Sequence, residues 1–224
     1  VKQWACRVRS NTQIASLIKE LVLDLPKGEL IEFRAGGYIQ ATCPAYRIKY
    51  SEIDIDAAFR DDWDRFDLRR LETGTPSQTT RAYSMANPPE ERDAITLNVR
   101  AAIPPPDAPD DALPGVVSSY LFSRKPGDEV LVSGPYGHFS ATNTNAEMVF
   151  VGGGVGMAPL RSLILDQLKR CKTERQISFW YGARNRREIL YQDEFDQLAV
   201  TFDNFNWTVA LSEPIPDGVW TGQT

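Results

Sequence analysis

Arg81, Tyr83 and Ser84, in the run Arg81-Ala82-Tyr83-Ser84, put a cation, a flat aromatic ring and a hydroxyl on one extended stretch of chain. That set suits a planar ligand bearing phosphate, with the guanidinium for the phosphate, the ring for stacking and the hydroxyl for a reactive edge. Alternation along a strand sends Arg81 and Tyr83 to one face and Ser84 to the other, so the three act together only if the chain bends at Met85-Ala86. An ordinary edge strand with a surface arginine and a packed tyrosine explains the same four residues without a ligand.

Two glycine-led segments could add phosphate chemistry. Gly115-Val116-Val117-Ser118 opens a predicted short helix, whose first turn exposes backbone N–H groups and a positive dipole end to a pyrophosphate, and Ser118 can add a hydroxyl there. The alternative is a routine serine cap. Further on, Gly152-Gly153-Gly154-Val155-Gly156-Met157-Ala158-Pro159 follows a buried strand and precedes a helix, with Pro159 placed for the first helical turn. Bare backbone at such a turn lets dinucleotide phosphates approach N–H groups, although the spacing is not G-x-G-x-x-G and a glycine cluster alone says little. Tyr181-Gly182-Ala183-Arg184 ends the next strand, on the carboxyl edge where such ligands bind.

The elements that must position these residues fall into two grammars. Strands are expected at residues 3–9, 18–25, 38–43, 81–86, 94–100 and 129–133, several of them alternating apolar and polar residues as half-buried antiparallel strands do. An antiparallel β-barrel follows over residues 1–142. From residue 143 the pattern becomes strand 148–152, helix 159–172, strand 177–181, helix 187–199 and strand 206–211, the βαβαβ order of a parallel-sheet α/β domain over 143–224. Two segments fit neither grammar. Residues 45–76 combine many charges with Trp63, Phe66, Leu68 and Leu71, which reads as an insertion packed on the barrel or on a partner; the proline run 103–114 reads as an extended, stiff connector.

Composition excludes other classes. The 224 residues, 42% hydrophobic and 25% charged, suit one or two globular domains with real cores. A net charge of -5 with scattered basic residues lacks the electrostatic footprint of a nucleic-acid binder. Cys6, Cys43 and Cys171 lie too far apart to build a zinc or iron-sulfur site locally, so no metal is expected, and their odd count fits a reducing, cytoplasmic setting. No apolar run approaches the ~20 residues that span a bilayer.

Taken in order, Arg81-Ala82-Tyr83-Ser84, Gly115-Val116-Val117-Ser118, Gly134-Pro135-Tyr136-Gly137 and the Gly152 to Pro159 run resemble the ferredoxin-NADP reductase superfamily. Within it, residues 33–40, 62–68 and 81–91 resemble the F subunits of sodium-translocating NADH:quinone oxidoreductases, and the resemblance covers the whole chain. It implies a Greek-key, flavin-binding barrel followed by a nicotinamide-nucleotide domain. The cofactor is FAD, with Arg81 on its pyrophosphate, Tyr83 against the isoalloxazine, Ser84 near N5, Asn98, Val99 and Arg100 along the pyrimidine side, and Gly115, Val116, Val117 and Ser118 at the phosphates. NADH is the implied substrate, bordered by Gly153, Gly154, Gly156, Met157, Ala158, Pro159, Tyr181, Gly182 and Arg184. Ser84 and Tyr83 are then the catalytic pair.

The resemblance also implies a [2Fe-2S] ferredoxin-like domain and a membrane helix upstream, other subunits of a membrane complex as partners, and a place on the cytoplasmic side of the bacterial inner membrane. Neither upstream part is in this sequence, and neither is the superfamily's Cys-Gly-Pro motif or its flavin-covering chain end; the chain reads as a soluble, C-terminally incomplete module of a longer protein. His138, the single histidine, reads as a loop residue rather than a proton carrier. Two alternatives stay open: a flavin reductase feeding an oxygenase, against which the insertion speaks, and a non-catalytic flavin-binding docking module.

Overall fold

A computed structural model describes residues 1–213, apart from 106, 110 and 111. The expectations that concern the chain end lie outside the described residues. In chain order the elements are β1 (Lys2–Ala15), β2 (Ile18–Asp24), β3 (Tyr38–Cys43), β4 (Tyr46–Lys49), α1 (Arg60–Arg65), β5 (Glu72–Thr75), β6 (Thr79–Ser84), β7 (Ala94–Arg100), α2 (Val116–Phe122), β8 (Glu129–Tyr136), β9 (Met148–Gly153), α3 (Met157–Leu165), β10 (Ile177–Ala183), α4 (Gln192–Thr201) and β11 (Phe205–Leu211).

Six strands form one curled antiparallel sheet in the order β6-β3-β8-β1-β2-β7, the non-sequential neighbours of a Greek key. Alternation does the folding: Trp4, Cys6 and Val8 of β1, Leu21 and Leu23 of β2, and Val130 and Val132 of β8 point into one buried core, and the residues between them, Ala5, Arg7, Val22 and Leu131, turn the other way and are less buried. β1 runs six residues beyond the expected end. Its polar stretch looks like a turn, but the Asn11 side chain donates to the carbonyls of Leu121 at 2.9 Å and Arg124 at 2.8 Å, so its polarity serves the end of α2. The curl brings edge strands β6 and β7 together at a Met85↔Leu97 bridge, where Ala86 N–H also donates to the Thr96 carbonyl at 2.7 Å. At Met85 the chain thus leaves β3 and crosses to β7, the bend on which a joint role for Arg81, Tyr83 and Ser84 depends.

The 45–76 segment packs on the barrel. It carries the β4–β5 hairpin and α1, and its Trp63 is fully buried, stacked between Tyr50 at 5.6 Å and Phe122 of α2 at 5.9 Å. Hydrogen bonds follow the same seam: Trp63 Nε1 donates to the Ser16 carbonyl at 2.8 Å, Thr73 Oγ1 to that of Pro114 at 2.9 Å, and the Tyr50 hydroxyl meets Ser119 Oγ at 2.8 Å. The proline run is not an extended connector. Gly115 N–H donates to the Ala102 carbonyl at 2.7 Å, and turn bonds join Ala108 to Pro105 and Ala112 to Pro109, so the segment returns to its start. Proline's fixed φ serves turns as well as extended chain, and the closing bond decides between them.

β9, β10 and β11 form a parallel sheet in the order β11-β10-β9, with α3 and α4 as crossovers. Leu160 and Ile164 of α3, and Phe195 and Leu198 of α4, share one core with Met148, Ile177, Phe179 and Tyr181, and Ala15 and Ile18 of the barrel join it. On the opposite side of the sheet Val149, Val151 and Trp180 are exposed. No described helix is long and apolar enough to cross a membrane, and the three cysteines are free thiols, Cys6 and Cys43 buried and Cys171 exposed.

Candidate functional site

Past the Met85 bridge the two barrel edges diverge and leave a cavity of about 770 Å³, lined by Arg81, Tyr83 and Ser84 from β6, Asn98 and Arg100 from β7, Gly115 to Ser118 at the start of α2, and Val155 and Ala158 from the second sheet's first turn. The bend therefore gathers all three β6 residues at one opening. Arg81 is exposed, makes no ion pair among the described residues, and donates only to the neighbouring Thr80 carbonyl at 2.8 Å. Tyr83 is half-buried against the barrel core, and burial raises its phenol pKa, so the ring stays neutral. Ser84 Oγ has no hydrogen-bond partner among the described residues.

The other expected residues divide by alternation. Asn98 and Arg100 face the cavity, whereas the Val99 side chain is fully buried in the barrel core, so only its backbone can serve a ligand. Ser118 Oγ spends its proton on the Gly115 carbonyl at 3.0 Å, which leaves the first-turn N–H groups of α2 as the donors at this end of the cavity.

A second cavity of about 570 Å³ opens at the carboxyl edge of the parallel sheet, lined by Gly153, Gly154 and Val155, Gly182, Ala183 and Arg184, Glu188, and Leu17, Ile18 and Arg100 from the barrel. Its glycine turn is bare backbone. A Cβ on Gly153 would meet the Gly182 carbonyl oxygen at 2.9 Å, and Gly154 has φ +52°. Tyr181 is buried beneath the turn, its hydroxyl donating to the Gly154 carbonyl at 3.3 Å; it supports the site without lining it. Met157 is likewise buried, and Ala158 reaches the first cavity rather than the second. Arg184 pairs with Glu188 at 3.5 Å. Arg100 and Val155 line both cavities, which are therefore neighbours.

Several contributing residues carry no local signal in the sequence. Glu188 accepts from Ser16 Oγ and from Ser16 N–H at 3.2 Å, 172 positions away, and Ser16 Oγ also contacts Asp62 of the insertion at 2.6 Å. Arg161 forms two hydrogen bonds to Glu194, at 2.5 and 2.9 Å, and donates to the Ala86 carbonyl at 2.8 Å, tying α3 to the end of the Arg81 segment.

The family model for an oxidoreductase FAD-binding domain matches residues 69–141, and that for an oxidoreductase NAD-binding domain matches residues 150–224. The chain is 56% identical, over all 224 residues, to the F subunit of the Na(+)-translocating NADH-quinone reductase of Yersinia enterocolitica, and equally to that of Klebsiella pneumoniae. Over its whole length the chain is thus similar to these F subunits. The chain spans 55% of the length of each of these relatives. Among solved structures, the flavohem-like FAD/NAD-binding domain of Vibrio cholerae nitric oxide dioxygenase superposes with a TM-score of 0.72 at 19% identity, covering 99% of this chain and 79% of that one. The cytochrome b5 reductase domain of Ulva prolifera nitrate reductase gives 0.70 at 19%, covering 99% and 77%. These likenesses show the ferredoxin-reductase-like fold.

The chain's own atoms fit the two groups that its domains imply. Each cavity falls within the size of ordinary ligand sites. The first has a cation with no carboxylate partner among the described residues, a neutral ring and a lining residue, Asn98, whose buried Oδ1 has no hydrogen-bond partner among them, an unmet acceptor. The second offers a glycine turn where a dinucleotide's phosphates can meet backbone. The two remaining matched motifs, residues 33–40 and 134–137, meet where Tyr38 stacks on Tyr136 at 5.5 Å and line a separate cavity of about 540 Å³ with the exposed His138.

Proposed function

We propose that this chain binds FAD between β6 and β7 and NADH at the glycine turn, and carries electrons from NADH through the flavin. The observation that carries the proposal is the adjacency of the two cavities through Arg100 and Val155, one of them lined by side chains suited to a flavin and the other by backbone suited to a dinucleotide. When bound, the nicotinamide and the flavin supply the hydride chemistry themselves. The protein's part is placement, which can supply roughly 7–11 kcal/mol of the barrier.

Arg81 and the α2 N–H groups hold the pyrophosphate, Tyr83 covers the ring, Ser84 presents its free hydroxyl to the reactive edge, and Asn98, the Val99 backbone and Arg100 follow the pyrimidine side. Gly153, Gly154 and Gly156 form the turn that receives NADH, Pro159 follows it in the first turn of α3, Ala158 reaches from there to the flavin cavity, Met157 and Tyr181 support the turn from the core, and Gly182 and Arg184 border the ribose or phosphate. The division is a flavin-binding barrel over residues 1–142 and a nucleotide-binding unit over 143–224. In the full-length protein the kinship with the reductase F subunits supports onward transfer, one electron at a time, to a [2Fe-2S] centre in a ferredoxin-like domain of the same chain. This would be the first step of a sodium-translocating NADH:quinone oxidoreductase assembled with other subunits on the cytoplasmic side of the bacterial inner membrane.

The test is Ser84→Ala. FAD affinity should hold while the rate of flavin reduction by NADH falls by roughly ten- to hundredfold, the scale of one hydrogen bond to a reacting centre. An unchanged reduction rate removes Ser84 from the mechanism.

A further inference from the structure

Asn98 Oδ1 is orphaned for a reason that lies in the second sheet's helices. Glu20 Oε2 stands 2.7 Å from the Tyr191 hydroxyl, and a carboxylate only accepts, so Tyr191 must give it its one proton. The Tyr191 oxygen is then left as an acceptor for Asn98 Nδ2 at 2.6 Å. This fixes the amide: its NH2 faces Tyr191, and Oδ1, on a residue that lines the first cavity, is left without a partner among the described residues. The flipped amide would set two oxygens against each other with no proton between them.

Tyr191 is itself held firmly. It occupies the left-handed region, φ +56°, at the start of α4, and the Arg161 guanidinium lies over its ring at 4.6 Å. Burial, and then the charge of Glu20, raises the phenol pKa, which keeps the hydroxyl a donor. Asn98 is 5% exposed, so no bulk water relieves the unpaired oxygen.

We propose that Tyr191 is a positioning residue for the flavin: through Asn98 it presents a fixed acceptor to the ring's imide N–H. This rests on reading the first cavity as the flavin site. The isoalloxazine carries one imide N–H between two carbonyls, and Arg100, two residues along on the same face of β7, brings donors of the complementary kind. Helix α4 thereby takes part in choosing the ligand of the barrel, and the hydrogen bond it dictates selects heterocycles with a ring N–H at that position.

The experiment titrates the chain with FAD and with 3-methyl-FAD, whose imide nitrogen is blocked, following flavin fluorescence. The wild type should prefer FAD by roughly tenfold or more, the scale of one buried hydrogen bond. Tyr191→Phe frees the amide and should bring the preference towards unity. Glu20→Leu removes the acceptor, frees the tyrosine proton for Asn98 and lets its amide flip; the preference should be lost there also. A preference retained in both variants, or equal binding of both flavins by the wild type, overturns the inference while leaving the flavin reading intact. Binding of neither flavin by the wild type overturns both.

Discussion

The two cavities that meet at Arg100 and Val155 are made of opposite materials. The barrel cavity is defined by side chains: an unpaired arginine, a neutral tyrosine, a free hydroxyl and an orphaned amide oxygen, all brought to one opening by the crossing of the chain at Met85. The sheet-edge cavity depends on a turn of bare backbone, with Gly153 against the Gly182 carbonyl and Gly154 in a left-handed turn. One site is therefore spoiled by removing atoms and the other by adding them.

The largest expected effect is on the first. Arg81→Ala removes a charge-assisted bond worth about 1.5–3 kcal/mol, so FAD should bind roughly ten- to hundredfold more weakly, while riboflavin, which has no pyrophosphate, binds as before; equal weakening of both flavins would break the assignment of Arg81 to the phosphate. Next comes Gly153→Ala, whose Cβ would lie 2.9 Å from a backbone oxygen. Overpacking of about 1–3 kcal/mol should weaken NADH binding while FAD affinity holds, and a parallel loss of FAD would show that the cavities are not separately built.

The smallest effect concerns what steadies the barrel side. Lys19 is buried, donates to the Asp54 carbonyl of the insertion at 2.8 Å, and has its pKa lowered by burial from 10.5 to about 8. Below pH 8 the lysine is charged in both folded and unfolded chains, and the fold bears the cost of burying it. Between about 8 and 10.5 the folded chain has released the proton while the unfolded chain keeps it, so this contribution to stability rises with pH. Lys19→Met should flatten that part of the melting temperature against pH profile relative to the wild type; identical profiles would contradict the burial argument.

The same contrast governs what could be read from the sequence. β3 and β7 have the expected limits because alternation is a local signal. The β4–β5 hairpin joins Tyr46 to Thr75 across the insertion, and Trp63 finds its place between Tyr50 and Phe122, facts that belong to tertiary packing rather than to any window of sequence. In the site, Arg81, Tyr83 and Ser84 are consecutive enough to be noticed. Glu188, Arg161 and Tyr191 are not, since their partners Ser16, Ala86 and Asn98 lie 172, 75 and 93 positions away. Val99 shows the converse: it sits between two cavity residues in sequence and faces the core because successive strand residues face opposite ways.

The most direct measurement is an anaerobic visible spectrum of the FAD-loaded protein before and after NADH, taken on the full-length protein and on this chain. Flavin bands that bleach in both would establish transfer between the two cavities. Bands that persist in the full-length protein, with FAD bound, would contradict the account.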